Sequence, residues 1–350
     1  MAVTRADVAR RAGTSPALVS YVLNGGPRKV APATEERILL AIKELGYRPN
    51  AVARSLRMAR GHSLGLILPD SSNPYFALLA RAVEEVAYRH GYPLLVGNAA
   101  DTSEREIGYL HAFVDRQVEG ILVIPTAEDE VLEEEFAKVG VPLVVLDRSL
   151  DDAAFANVVA ASVDGSRDAV RHLIEHGHTK IACLSGPAVS VSEERVAGFQ
   201  QALADAGLEP GRVLSRPFGG SAGYDALPAL LEGPEPPTAL FVTSDLAAMG
   251  LLRAAFDLGL DVPRDLAVVS FDGIEYAAYT RPGLTTVSQP ITQMAEVATQ
   301  LLIDALGGGS IPPGTRVLPT ELVRRGSCGC SDEFAGAIAK VDATGEGVVP

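Results

Sequence analysis

Two groups of side chains in this 350-residue chain are of metal-binding type: His172-x3-His176, followed by His178, and Cys328-Gly-Cys330. Residues four apart lie one turn apart on a helix, so His172 and His176 could offer two imidazoles to one ion. A zinc peptidase would need a glutamate directly after the first histidine, but Leu173 stands there and Gly177 ends the helix. Cys328 and Cys330 are half of a metal site without a second cysteine pair, since Cys183 is the only other thiol. Both stretches therefore read as ordinary, a helix end and a chain end, and no metal is expected. Three cysteines are too few and odd in number for a disulfide framework, which suits a reducing compartment. Gly307-Gly308-Gly309-Ser310 lacks the lysine and following helix of a phosphate loop, and no nucleophile elbow exists. No catalytic residue and no cofactor are expected.

Side chains suited to holding a small molecule fall instead at the ends of apolar runs. From Ser63 onward the runs LGLILP, PLLVGNA, GILVIP, PLVVLD, KIACLSG, TALFVTS and LAVVSFD alternate with amphipathic helical patterns. Such continuous runs read as parallel strands covered on both faces. They imply two doubly wound subdomains with ligand between the carboxyl ends of their strands. Tyr75 and Phe76 begin a helix after the first run, Asp147 and Arg148 end the fourth, and Ser244-Asp245 and Asp272 end later ones. Arg195 lies in EERVAGF and Phe218 in PFGGSAGY. A late helix at Ile291–Leu306 precedes a final strand near Pro319–Val323, so the chain should cross between subdomains more than once.

The net charge of −14 hides two unlike parts. Residues 1–60 hold 11 Lys+Arg against 4 acidic residues, a balance of +7, and the rest of the chain carries −21. A basic module joined to an acidic body suggests a polyanion binder attached to something that should avoid the polyanion. In TRADVARRAGTSPALVSYVLN, Val8, Ala9, Ala12, Val19, Val22 and Leu23 recur at helical spacing around a turn at Gly13. Ser15 suits an N-cap and Pro16 a first helical turn. Ala33 to Leu45 adds a third helix ended by Gly46. This is helix-turn-helix geometry, although a three-helix bundle for protein contacts would use the same pattern. On the DNA reading, Pro16, Ala17, Ser20 and Tyr21 face bases, Ser15 lies at the duplex with them, and Thr4, Asn24, Arg28 and Lys29 suit phosphates, although Asn24 could equally end the helix.

DVARRAGTSPALVSYVLNG, followed by VAPATEERILLAIKELGYRPNAVARSLR, resembles the N-terminal signature of the lactose/galactose-repressor (LacI/GalR) family, and the resemblance runs to about Cys330. It implies that Asn50–Arg57 is a hinge helix that folds on operator DNA, with Asn50, Ala53, Arg54 and Leu56 at the duplex. Leu56 matches a leucine that enters the minor groove, where an apolar wedge unstacks a step while cations such as Arg54, Arg57 and Arg60 offset phosphate charge. The resemblance also implies that Phe76, Asp147, Arg195, Phe218, Ser244 and Asp272 hold an effector, commonly a sugar and in some members a purine. An aromatic face for C–H surfaces, with Arg and Asp bonded to hydroxyls, suits a sugar. Tyr21 stands where members often carry a polar or basic base-reading residue, and Ser244 replaces an amide often found there.

The fold expected is an all-α helix-turn-helix headpiece followed by an α/β periplasmic-binding-protein-like core of two doubly wound parallel-sheet subdomains. Residues 1–48 form the headpiece, 49–61 the hinge and linker, 62–330 the core and 331–350 a tail. Within the core, 62–160 with 290–319 and 161–289 with 320–330 make the two subdomains. The function expected is a ligand-responsive transcriptional repressor, a homodimer on a near-palindromic double-stranded operator, controlled by a small molecule, with a sugar favoured. The tail lacks leucine heptads, which favours a dimer over a helix-bundled tetramer. Charge in the first residues leaves no signal peptide and no apolar run reaches membrane-spanning length, so a cytoplasmic protein without membrane contact is expected. A sugar-transport receptor would share the core but not the basic head, and an enzyme on this fold would need a phosphate loop or dinucleotide fingerprint. Leu56→Ala should weaken operator binding with little change in core folding, by gel shift and thermal melting; equal operator affinity in both proteins would remove the hinge assignment.

Overall fold

The N-terminal helices form where local hydrogen bonds can close their ends. In the computed structural model, which describes residues 3–24, 29–47, 61–128, 130–150 and 153–331, α1 spans Arg5–Arg11, α2 Pro16–Asn24 and α3 Pro32–Leu45. Thr4 starts α1 with a capping box: its Oγ1 accepts from Asp7 N and donates to Asp7 Oδ2 at 2.6 Å. Gly13, at φ +63°, makes the turn into α2, and Gly46, at φ +59°, ends α3. Val8, Val19 and Ile38, one from each helix, are fully buried in a small core with Ala9, Ala12, Ala41 and Tyr47. An ion pair of 2.6 Å between Arg11 and Glu44 joins α1 to α3 at the surface.

The chain divides into two compact units, Met1–Gly61 and His62–Pro350. The second holds two six-stranded sheets. The first has the order β11-β5-β4-β3-β1-β2, made from β1 (Leu64–Leu68), β2 (Leu94–Asn98), β3 (Gly120–Val123), β4 (Leu143–Leu146), β5 (Ala156–Ala160) and β11 (Gly314–Leu318). The second has the order β12-β10-β9-β8-β6-β7, made from β6 (Ile181–Ser185), β7 (Val213–Ser215), β8 (Ala239–Val242), β9 (Ala267–Asp272), β10 (Thr285–Ser288) and β12 (Glu321–Val323). All pairings are parallel except the edge strand β12 against β10. Strands such as β1, β3, β6 and β8 are buried along their whole length because helices cover both faces.

Those helices are α4 (Pro74–Arg89), α5 (Ser103–Asp115), α6 (Glu130–Lys138), α7 (Ser162–Glu175), α8 (Ser190–Asp205), α9 (Gly220–Leu231), α10 (Asp245–Asp257) and α11 (Ile291–Leu306). The chain passes between sheets three times: from β5 into α7, from β10 through Gln289-Pro290 into α11, and from β11 through Pro319-Thr320 into β12. The final strand expected near Pro319–Val323 is β12, and β11, just before the third crossing, is a further strand that the sequence pattern did not announce. Pro319 cannot donate to a ladder and stands at that crossing, not inside a strand.

Helices α9 and α10 touch backbone to backbone through glycines. A Cβ built on Gly250 would lie 1.8 Å from Gly220 O, and one on Gly223 would lie 1.9 Å from Ala247 O. Gly250→Ala must push the helices apart, an overpacking that costs about 1–3 kcal/mol. Calorimetry should register that loss in the core transition, whereas an unchanged melting temperature would mean that the helices separate freely.

Candidate effector pocket and DNA-binding face

One cleft in the core is lined from both sheets, entirely at the carboxyl ends of strands and the adjoining helix starts. Its lining comprises Asn73, Tyr75 and Phe76 from the start of α4, Asp147 and Arg148 after β4, Val191 and Arg195 from α8, Phe218 before α9, Ser244 after β8, and Asp272 at the end of β9. All seven residues selected from the sequence, Tyr75, Phe76, Asp147, Arg195, Phe218, Ser244 and Asp272, converge there, although 197 positions separate the first from the last. Asn73, Arg148 and Val191 join them. Asn73 places Tyr75 by capping α4, its Oδ1 accepting from Tyr75 N at 3.1 Å. Phe218 lies so close over Gly186, after β6, that a Cβ there would sit 2.1 Å from its ring.

A chain of polar contacts crosses the cleft. The Tyr75 hydroxyl donates to Asp147 Oδ1 and lies 3.0 Å from Gln289 Oε1. Gln289 Nε2 donates to Asp272 Oδ1 at 3.0 Å, and Arg195 Nη1 donates to the same oxygen at 3.3 Å and to Thr243 O at 2.7 Å. The guanidinium also stacks 4.0 Å from the centre of the Phe271 ring. The network therefore joins the first subdomain, a crossover residue and the second subdomain. Gln289 directly follows β10, whose Thr-Thr-Val-Ser sequence is no long apolar run, so this strand end and its glutamine escape a reading of the sequence.

Asp147 and Asp272 adopt positive φ, 69° and 128°, which L residues rarely do and which turns their carboxylates away from the strand direction. The turn after β9 is held by Asp245: its Oδ2 accepts from Gly273 N at 2.9 Å and Ile274 N at 2.8 Å, its Oδ1 from Ser270 at 2.5 Å and Thr286 at 2.6 Å. Asp245 thus positions Asp272 from behind the pocket. Burial, above all, pushes the Asp272 carboxyl up to about 7, with Asp245 and Asp147 adding like-charge repulsion and Arg195 opposing. Burial likewise raises Asp147, and burial with the Asp147 charge keeps the Tyr75 phenol protonated well above its usual range. Among the described residues, Arg148 Nε, Arg195 Nε and Ser244 Oγ are buried without a hydrogen-bond partner, three polar atoms on lining residues that a ligand could satisfy.

In the headpiece, Ser15, Pro16 and Ala17 are exposed at the start of α2, and Ser20 and Tyr21 are half-buried. Ser15 Oγ accepts from Leu18 N at 3.3 Å, so Ser15 caps α2. The Thr4 hydroxyl is engaged in its capping box. Lys29 is exposed. Arg28, Asn50, Ala53, Arg54, Leu56, Arg57 and Arg60 lie outside the described residues, as does the side chain of Asn24.

The histidine and cysteine pairs that sequence reading kept apart meet in the second subdomain, where His172, His176, Cys328 and Cys330 direct their ligand atoms to within 4.8 Å of one another. Distance along the chain, not chemistry, had hidden the second pair. His178 takes no part; its Nδ1 lies 2.9 Å from Thr238 Oγ1.

A helix-turn-helix unit joined to a two-sheet core with a ligand cleft at the strand ends defines a ligand-responsive DNA-binding regulator. Residues 4–50 match the model of the bacterial regulatory proteins of the lacI family, and residues 170–328 match a periplasmic binding protein-like domain. The chain is 38% identical to the HTH-type transcriptional repressor PurR of Erwinia tasmaniensis over 91% of this chain and 95% of that protein. Among solved structures it resembles a lac repressor dimer bound to operator and the anti-inducer ONPF, with TM-score 0.84, 27% identity and coverage of 94% and 99%. It also resembles the transcriptional regulator CelR in complex with cellobiose, with TM-score 0.71, 30% identity and coverage of 93% and 99%. The chain belongs to the lacI family of bacterial regulatory proteins. No helix among the described residues is long and apolar enough to cross a membrane.

A carboxyl whose folded-state pKa is raised above its unfolded value of 3.8 stabilises the fold fully below that value and loses the contribution as pH rises through about 7. In Asp272→Asn that part of the dependence disappears, so melting temperature should fall less steeply than in the wild type as pH rises across this window. Equal slopes in calorimetric scans would assign the proton to another group.

Proposed function

We propose that this chain is a repressor that binds a near-palindromic operator as a homodimer, and that a sugar bound in the cleft between the core subdomains controls the binding. The observation that carries the effector reading is the convergence of Tyr75, Asp147, Arg195 and Asp272 with Phe76 and Phe218 in one buried cleft. Buried carboxylates and a guanidinium give charge-assisted bonds to hydroxyls, while the rings offer faces to C–H surfaces. Phosphorylated or acidic ligands fit less well, because Asp147 and Asp272 would face their charge. The CelR–cellobiose complex, a structural relative of this chain, supports a carbohydrate effector.

The mechanism follows from the polar chain through Gln289. A ligand hydroxyl that replaces one of its contacts, between Tyr75 and Gln289 or between Asp272 and Arg195, alters the link between subdomains and so the angle they prefer. The angle in turn sets how two copies present their hinge segments to the duplex, and operator affinity shifts by the ligand's differential affinity for the two angles. No step of this cycle makes or breaks a covalent bond in the ligand, so the protein acts by binding and not as an enzyme.

A thermal-shift screen of mono- and disaccharides on the full chain should yield at least one ligand that raises the melting temperature. Arg195→Ala leaves buried carboxylates unpaired toward the ligand, a cost of about 1–3 kcal/mol, or roughly 5- to 150-fold in affinity. Calorimetric titration should register that loss while operator binding in a gel shift stays intact; an unchanged titration would move the effector elsewhere.

A further inference from the structure

We propose that His172, His176, Cys328 and Cys330 form a structural zinc site in the second core subdomain. His172 and His176 stand one turn apart near the end of α7, with ring centres 4.6 Å apart. The cysteines flank Gly329, whose φ of +96° folds the segment after the short 3-10 turn Gly326–Cys328 so that both thiols face the helix. His172 Nε2 lies 3.2 Å from Cys328 Sγ and 3.5 Å from Cys330 Sγ, and His176 Nε2 lies 3.5 Å from Cys330 Sγ. Zinc bonds of about 2.0–2.1 Å to nitrogen and about 2.3 Å to sulfur in a tetrahedron imply nitrogen–sulfur edges of about 3.5 Å. Two of these three nitrogen–sulfur separations match that edge, the third is 0.3 Å shorter, and all four ligand atoms lie within 4.8 Å of one another, so small side-chain adjustments bring them around one zinc ion.

The donor set selects the metal and the role. Two imidazoles and two thiolates in a tetrahedron suit zinc above the oxygen-seeking cations, and four protein ligands leave no open position for catalysis. Thr285 Oγ1 donates to Cys328 Sγ at 3.1 Å, as a supporting group does for a metal-bound thiolate. On binding, each cysteine releases its proton to solvent and keeps its electron pair for the metal.

The scaffold around the site is fixed independently of a metal. Ser327, beside Cys328, donates its hydroxyl to Val268 O at 2.6 Å and accepts from Thr285 N at 2.8 Å. The ion would therefore close a loop of 156 residues, from His172 to Cys328, between elements that lie just after the first and third crossings of the core. Its effect is to pin the end of the core onto α7.

The test uses tag-free full-length protein purified under reductant from zinc-supplemented cells and dialysed. Elemental analysis should find about one zinc per chain. His176→Gln and Cys330→Ser, at an exposed and a half-buried position, should fold yet lose that zinc. Cobalt added to the metal-free wild type should give thiolate-to-metal charge-transfer absorption and the intense visible bands of tetrahedral coordination, and neither variant should do so. A chelator should lower the melting temperature of the wild type but not of the variants. Folded wild type with no zinc and no cobalt spectrum would overturn the proposal, as would full retention of zinc by both variants.

Discussion

Burial of the Arg195 guanidinium is the constraint around which the core is arranged. Only 3% of Arg195 is exposed, and an unpaired charge so placed would be strongly destabilising. Asp272, Thr243 O and the Phe271 ring surround it, Thr243 just after β8 and Phe271 and Asp272 at the end of β9 in the second sheet. Asp272 in turn can face Arg195 only because its backbone takes a positive φ, a conformation that the four hydrogen bonds to Asp245 hold in place. Asp272 shares an oxygen with Gln289, and Gln289 meets Tyr75 and through it Asp147 in the other subdomain. One buried cation thus ties cleft-lining groups of both sheets into a single network.

Such a network suits a switch better than a static core. Buried charges contribute little net stability when replaced by apolar groups, but breaking one partner is costly, so the arrangement is sensitive to whatever completes it. The unpartnered Arg195 Nε and Ser244 Oγ lie within the same constellation. A polyhydroxylated ligand brings the donors and acceptors that such groups need. The cluster of His172, His176, Cys328 and Cys330 belongs to a different logic: none of the four lines the cleft, and their contacts join the end of the core to α7.

Much of the architecture was legible because it rests on local rules. The long apolar runs that became β1, β3, β4, β6, β8 and β9 are covered on both faces, so their composition is unmixed, and the headpiece carries its turn and caps at Gly13, Gly46 and Ser15. Strands with polar residues were not legible. In β5, Asn157 is fully buried, its amide donating to Leu150 O at 3.2 Å and its Oδ1 accepting from Leu150 N at 3.0 Å. In β10, Thr285 and Thr286 find partners in Arg325 and Asp245. Partners so placed make a polar residue a core residue, and nothing in the local pattern announces them.

By itself the sequence determined the class of each part: a basic helix-turn-helix head, a core of parallel strands, and a set of strand-end residues of the right chemistry. Periodicity, charge balance and turn residues act over a few positions, and strand ends of a parallel sheet must share one side, so these features can be read along the chain. Which groups meet was decided only by the tertiary structure. Gln289 completes the cleft network, Asp245 supports Asp272, and two cysteines reach two histidines more than 150 positions away because the chain crosses between its sheets three times. Contacts made by such crossings depend on the closing of the whole fold, and no short stretch of residues carries them.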